Sequence, residues 1–286
     1  MNESVPNDAT RPTAPEGKKA KKQDSFIVFL LKLVVIVALF RTLLFTSFMI
    51  PSESMMPRLL VGDYLFAAKW PYGYSGASLP IDWPGGKSRV FGGLPDRGDI
   101  AIFKHPIDRS DYVKRVIGLP GDTVQVVGGV LILNGEPVPK EQVADFVAAT
   151  TVAKGCREGE EYTRRTAEGA FFCSYPQFRE TLPGGVSYNV LDFGPAGLNF
   201  QYQVDADNTR PVLVPEGHLF MMGDNRDNSL DSRFPAAPGQ GVGLVPVENL
   251  VGEASFMFFS TDGSAEWLKP WTWFSAARWD RIGQGI

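Results

Sequence analysis

The chain is poor in soft metal ligands. Its 286 residues include two cysteines and two histidines, with no His-Glu-x-x-His. That set is too small for a Cys/His zinc centre, so neither a metal nor another cofactor is expected. The chain also lacks a charge excess: 28 basic against 32 acidic side chains give a net charge of -4. There is no global basic field to hold nucleic acid and no acidic surplus of the kind that keeps a chain unfolded. A disulfide-stapled miniprotein is excluded by length, and no repeat of solenoid period occurs. What the chain has in quantity is glycine, 30 residues, and proline, 22 residues, more than an average soluble protein carries. Turns between short strands use these residues and a helical bundle does not, so the expected fold is mainly β.

One hydrophobic run stands apart. Phe26 to Ile50, FIVFLLKLVVIVALFRTLLFTSFMI, has only Lys32 and Arg41 charged in 25 residues and is long enough as a helix to cross a bilayer. It reads as one transmembrane anchor over residues 25–50. A buried core helix and a cleaved signal sequence are the alternatives, and the two charges weigh against spanning. Leu44–Ile50 lacks a small-x-small cleavage pattern, so the segment is expected to remain. Residues 1–24, with Pro6, Pro12, Pro15 and the cluster Lys18, Lys19, Lys21, Lys22, read as a disordered tail. The positive-inside rule keeps that tail in the cytoplasm and puts everything after Ile50 on the opposite, periplasmic or extracellular side. In an oxidising compartment Cys156 and Cys173 can close a disulfide loop of about 18 residues; two separate buried thiols are the other reading.

Beyond the anchor, β-branched and aromatic runs between turn signals predict strands at Asp63–Ala68, Asp99–Lys104, Tyr112–Ile117, Asp122–Val127, Val130–Leu133, Ser187–Leu191, His218–Met222 and Ala254–Phe259. Asn134-Gly135 after VLIL predicts a hairpin. The expected organisation is an antiparallel-sheet catalytic core in two parts, 51–142 and 208–262, with a smaller inserted lobe at 143–207 and an extended loop at 72–95. The C-terminal segment 263–286 holds Trp267, Trp271, Trp273 and Trp279 with Arg278 and Arg281. A short amphipathic helix there suits a membrane interface; closure of the β core by the rings is the other reading.

Without a metal, hydrolysis needs an activated nucleophile, a base and oxyanion donors. Pro51-Ser52-Glu53-Ser54-Met55-Met56-Pro57 places two serines between prolines immediately after the apolar run. Neither His105, before Pro106 in a loop, nor His218, opening a strand, suits a triad. Lysine is the next base, because burial lowers an amine pKa toward neutrality, and Lys114 lies in the apolar run Tyr112-Val113-Lys114-Arg115-Val116-Ile117. An ordinary strand lysine reaching water fits the same pattern. Arg115 stays protonated and cannot serve. Gly223-Asp224-Asn225-Arg226-Asp227-Asn228-Ser229-Leu230-Asp231-Ser232-Arg233 reads as a solvated loop or, following the apolar Leu219-Phe220-Met221-Met222, as polar groups carried on a rigid scaffold.

In this order and behind an apolar anchor, PSESMMP, YVKRVIGLPGD and GDNRDNSLDSR resemble the characteristic boxes of the bacterial type I signal peptidases, as do VGDY at 61–64, RGDIAIFK at 97–104 and VPVENLVGEA at 245–254. The resemblance implies a Ser/Lys-dyad endopeptidase that removes signal peptides after Ala-x-Ala at the outer face of the cytoplasmic membrane. Matched by position, Ser54 is the nucleophile and Lys114 the general base, with Ser52 and the Ser54 N–H as the oxyanion hole. By the same matching, Ser229 orients the lysine, and Asp231 with Arg233 forms a supporting ion pair. Phe48, Ile50, Pro51, Met55, Leu59, Ile102, Tyr112 and Val113 would line the two apolar substrate pockets. The implied partners are preprotein signal peptides and membrane lipid, with proximity to the secretion translocon and no nucleic acid. Three features depart from the family pattern: a single span, Phe234-Pro235-Ala236 where two aromatics and a glycine are frequent, and Glu53 where glycine is frequent. The rival readings are a soluble self-cleaving repressor-like Ser/Lys protein, which the anchor argues against, and a catalytically inert membrane-anchored adaptor.

Overall fold

The apolar run does not continue as one helix to Ile50. In the computed structural model, which describes residues 25–79, 88–150, 155–156, 158–195, 198–199, 204–266 and 268–286, helix α1 covers Phe26–Leu43 and strand β1 covers Phe45–Met49. The expected anchor of residues 25–50 is thus corrected to an 18-residue helix of mean hydropathy 2.5, about 27 Å long at 1.5 Å per residue. The change of state has its cause in a tertiary pairing. Phe45–Met49 pairs antiparallel with Asp63–Ala68, Phe45 opposite Ala68 and Met49 opposite Tyr64, and aromatic and β-branched residues such as Phe45, Thr46 and Phe48 suit a strand. The tail 1–24, residues 80–87 of the expected loop and Trp267 lie outside the described residues.

The strands that follow are β2 (Asp63–Ala68), β3 (Ile100–Lys104), β4 (Asp111–Gly118), β5 (Thr123–Val127), β6 (Val130–Leu133), β7 (Glu136–Pro137), β8 (Lys140–Gln142), β9 (Phe146–Thr150), β10 (Thr163–Arg165), β11 (Phe171–Tyr175), β12 (Gln177–Thr181), β13 (Ser187–Leu191), β14 (Leu198–Asn199), β15 (Val204–Asp205), β16 (Val212–Leu213), β17 (His218–Met222), β18 (Val245–Pro246) and β19 (Leu250–Ser260). The expectation of a mainly β, antiparallel protein holds. A seven-stranded sheet runs β1-β2-β19-β3-β4-β17-β18, every neighbouring pair antiparallel. Smaller sheets are β16-β5-β6-β7, β13-β12-β8, β10-β11-β9 and β14-β15. The Asn134-Gly135 turn joins β6 to β7 as expected, with φ of 55° and 86° at the two central residues, the left-handed pair that a two-residue hairpin requires.

Strand β3 is apolar on both faces because both are covered: Ile100 and Ile102 enter one core with Ile50, Met55, Leu59, Leu65 and Met257, and Ala101 and Phe103 enter another with Val116, Leu219 and Met221. Part of the segment expected as a separate lobe shares a third core with β5, β6 and β17 through Leu182, Tyr188 and Val190. Cys156 and Cys173 are joined in a disulfide. It packs in a fourth cluster with Met56, Tyr175 and Leu191. At the C-terminus helix α2 (Trp271–Ala276) forms, but its rings do not close the β core. Trp271, Trp273, Phe274 and Trp279 are exposed.

Candidate active site

The segment carrying the two serines is closed at its base. Ile50 N–H donates to Asp63 O at 2.8 Å and Gly62 N–H to Ile50 O at 3.0 Å, so a 12-residue excursion begins and ends at one point of β2. Asp63 locks it: its buried carboxylate accepts from Leu60 N–H at 2.7 Å, Ser260 Oγ at 2.6 Å and the Arg281 guanidinium at 2.7 and 3.1 Å. Met55 and Leu59 anchor the excursion in the core, both without exposed surface. The nucleophile candidate is therefore held from both sides before any catalytic contact is made.

Lys114 reaches it from β4, where consecutive side chains leave opposite faces. Lys114 Nζ donates to Ser54 Oγ at 2.6 Å, and both residues are buried. Burial lowers the Lys114 pKa from 10.5 to about 8; the negative charges of Asp231 and Asp224 pull the other way and are outweighed. The snorkelling alternative for this lysine is overturned, since its amine ends against Ser54 and not in water. Ser52 Oγ lies 3.3 Å from Ser54 Oγ, while the Ser54 N–H donates to no carbonyl of the described residues. Pro51, Ser52, Ser54, Tyr112, Val113, Lys114, Asp227, Asn228, Ser229 and Phe234 line one cleft of about 550 Å³.

The Gly223–Arg233 segment closes that cleft. Asn225 N–H donates to the Ser54 carbonyl at 3.1 Å. Gly223 sits so close that a Cβ there would stand 2.3 Å from Ser229 Oγ and 2.5 Å from Ser54 O, which only glycine permits. Arg233 Nε and Nη2 donate to Asp231 Oδ1 and Oδ2 at 2.9 and 3.0 Å, and Gly223 N–H donates to Asp231 Oδ2 at 3.0 Å. Burial alone would raise the Asp231 pKa; the charge and hydrogen bonds of Arg233 outweigh it and hold the carboxyl below its ordinary value. Burial likewise pushes Asp227 up to about 6, against the Phe193 N–H that it accepts.

Two expectations about side chains are corrected. Ser229 does not hydrogen-bond Lys114: its hydroxyl is buried with no partner among the described residues, packed over Gly223. Of the expected pocket residues, Pro51, Tyr112 and Val113 line the cleft, but Ile50, Met55, Leu59 and Ile102 are at most 2% exposed in the core beneath it, with Phe48 packed against them. They are core residues instead of wall residues: the closed excursion turns Met55 and Leu59 inward, while Phe48 on β1, Ile50 just after it and Ile102 on β3 pack into the same cluster.

Sequence reading missed the rest of the scaffold. Arg115 donates bidentately to Asp224 at 2.7 and 2.6 Å, and Arg226 to Glu180 at 2.8 and 2.5 Å. Tyr188 donates to Glu180 Oε2 at 2.8 Å and lies under the Arg115 guanidinium, 4.1 Å from its ring centre. The available signal was an arginine inside an apolar strand, which needs a buried partner. His105 is buried as a structural residue: its Nδ1 accepts from the Ile107 and Asp108 N–H groups and its Nε2 donates to Gly241 O at 3.1 Å. No group of three or more His, Cys, Asp or Glu able to hold a metal occurs among the described residues. A larger cleft of about 890 Å³ lies on the Arg115 side and contains neither Ser54 nor Lys114. Size thus does not mark the site; the buried serine–lysine contact does.

Comparison with known proteins gives the family. The model of the family described as signal peptidase, peptidase S26 matches residues 23–259. Signal peptidase I of Rickettsia conorii is 36% identical over 248 residues, covering 86% of this chain and 82% of that protein. Signal peptidase I of Rickettsia bellii is 34% identical over 302 residues, covering 100% and 90%. A solved signal peptidase I from Enterococcus faecalis aligns with a TM-score of 0.28 and 23% identity, over 57% of this chain and 98% of that one. The match of the family model and the identity carried across most of the chain show that it belongs to the signal peptidase, peptidase S26, family of serine endopeptidases.

Proposed function

We propose that the chain is a membrane-anchored Ser/Lys-dyad peptidase that removes signal peptides from exported preproteins after an Ala-x-Ala-like site. The observation that carries the dyad is the 2.6 Å contact between Lys114 Nζ and Ser54 Oγ in a buried setting that depresses the amine pKa. With the amine neutral, the Ser54 hydroxyl donates to Nζ across the same separation and passes its proton there as Oγ attacks the scissile carbonyl. The Ser52 hydroxyl and the Ser54 N–H then receive the oxyanion, a donor of this kind being worth roughly 3 to 4 kcal/mol. Lys114 returns the proton to the leaving amine, and water hydrolyses the acyl-enzyme on Ser54. Pro51, Tyr112 and Val113 supply the apolar wall of the cleft, which suits small substrate side chains by rejecting large ones through overlap.

Helix α1 anchors the chain, with the lysine cluster before it on the cytoplasmic side and the catalytic part on the outer face. Ser54 follows the end of α1 at Leu43 by 11 residues, a short tether for substrates whose apolar segments stay in lipid. Residues 51–142 and 208–262 form the catalytic core, into which Leu182, Tyr188 and Val190 of the 143–207 lobe pack, and 263–286 forms an interfacial segment whose exposed Trp271, Trp273 and Trp279 meet lipid headgroups. Preprotein signal peptides are the substrates, presented near the secretion translocon. The test is cleavage of a detergent-solubilised preprotein by wild type and by Ser54→Ala, with N-terminal sequencing of the product. A cut after Ala-x-Ala that disappears in Ser54→Ala supports the reading; a folded wild type that cuts nothing leaves the inert anchored adaptor.

A further inference from the structure

We propose that Glu158 is a positioning residue for the reaction, acting through Asn228 and Asn225 on the segment that closes the cleft over Ser54. The inference rests on the peptidase reading and extends it to a residue outside the dyad, the oxyanion donors and the ion pairs. Glu158 stands two residues after Cys156, whose disulfide to Cys173 ties it to β11. Its Oε1 accepts from Asn228 Nδ2 at 2.8 Å and lies 3.5 Å from Asn225 Nδ2. The same Asn228 amide lies 3.5 Å from Glu53 Oε2, between the two serines.

Both asparagines act at the site. Asn228 is on the cleft wall beside Ser229, and Asn225 holds the Ser54 carbonyl through its N–H. The cystine that carries Glu158 also touches the nucleophile segment, since Cys156 and Cys173 pack with Met56, two residues beyond Ser54, and with Leu191. Leu191 in turn donates to Asp224 O and accepts from Arg226 N–H, both at 2.9 Å. The cystine region therefore grips the two halves of the site at once, the serine segment through Met56 and the closing segment through Leu191 and Glu158. Asn228 is otherwise exposed, and an exposed amide has no fixed orientation unless a partner supplies one. A carboxylate acceptor gives a charge-assisted bond, and a covalent closure limits how far that carboxylate can move. Loss of the acceptor frees the Asn228 side chain to swing at the rim and lets the Asn225 backbone drift from Ser54. Misplacement of a reacting group costs rate more than affinity.

The experiment compares kcat and KM for preprotein cleavage by the detergent-solubilised full chain in five forms: wild type, Glu158→Ala, Glu158→Gln, Asn228→Ala and the Glu158→Ala/Asn228→Ala double variant. Melting temperatures serve as the folding control and Ser54→Ala as the blank. We expect Glu158→Ala to lose about tenfold in kcat with KM changed less than about twofold. Glu158→Gln, which keeps the Oε1 acceptor, should recover to within about threefold of wild type, and the double variant should fall no further than the lower single one. Unchanged kcat in Glu158→Ala beside an active wild type overturns this inference alone. So does a Glu158→Gln variant as slow as Glu158→Ala, or a double variant whose losses multiply. An inactive folded wild type overturns both this inference and the peptidase reading.

Discussion

Replacing Lys114 by methionine should destroy activity and stabilise the fold. The amine sits against Ser54 in a residue only 4% exposed, and its pKa falls from 10.5 to about 8. Each unit corresponds to about 1.4 kcal/mol, so holding the protonated amine there costs about 3 kcal/mol. Methionine keeps the stem without the charge and loses one hydrogen bond to Ser54, worth about 1 kcal/mol. The net gain at pH 7 is about 2 kcal/mol. The unfolded chain keeps the proton to pH 10.5 and the folded chain only to about 8, so between these values the unfolded state binds more protons and wild-type stability rises with pH. Below about pH 8 wild type bears the full cost; above 10.5 the advantage of the variant is gone. Urea unfolding followed by tryptophan fluorescence at pH 7, 9 and 11 measures the difference, and the wild-type cleavage rate should fall about tenfold per pH unit below about 8. A Lys114→Met protein no more stable than wild type at pH 7 would refute burial as the source of the depressed pKa. A cleavage rate flat from pH 9 to 6 would refute Lys114 as the base.

Two further outcomes follow from the closing segment. Gly223→Ala should lower kcat at least about a hundredfold, because its Cβ would stand 2.5 Å from the Ser54 carbonyl and displacing the nucleophile by about 1 Å is costly; steady-state kinetics at unchanged secondary structure test it, and near-normal kcat would show that the segment can yield. Arg226→Ala should destabilise by about 3 to 5 kcal/mol, since it leaves Glu180 buried without its bidentate partner, whereas Arg226→Met with Glu180→Leu should restore most of that loss; urea midpoints of both proteins separate an uncompensated charge from lost packing.

The strands were legible in local sequence, and so were the segments that come together at the candidate site. Asp63–Ala68, Val130–Leu133, Ser187–Leu191 and His218–Met222 occur at the expected bounds, because alternation and turn residues act over a few positions. The end of α1 was not legible, since Leu44–Ile50 continues the run without a charge and Phe45–Met49 becomes a strand only through its pairing with β2. The Arg115–Asp224 and Arg226–Glu180 pairs join residues 109 and 46 positions apart, beyond any local pattern. Ser229 was matched by motif and found without its expected bond, because motif position fixes the residue and not the rotation of its side chain.

By itself, then, the sequence determined the mainly β fold, the apolar N-terminal helix, and the serine and lysine that the family boxes supply. Only the tertiary structure decided that Ser54 and Lys114, 60 residues apart, meet at 2.6 Å and that Ile50, Met55, Leu59 and Ile102 floor the cleft instead of lining it. Only it, too, decided that the cystine region reaches the site through Glu158. The physical reason is one of range. Backbone preference and side-chain periodicity are local, whereas burial, which turns an ordinary lysine into a candidate base, is a property of everything packed around it.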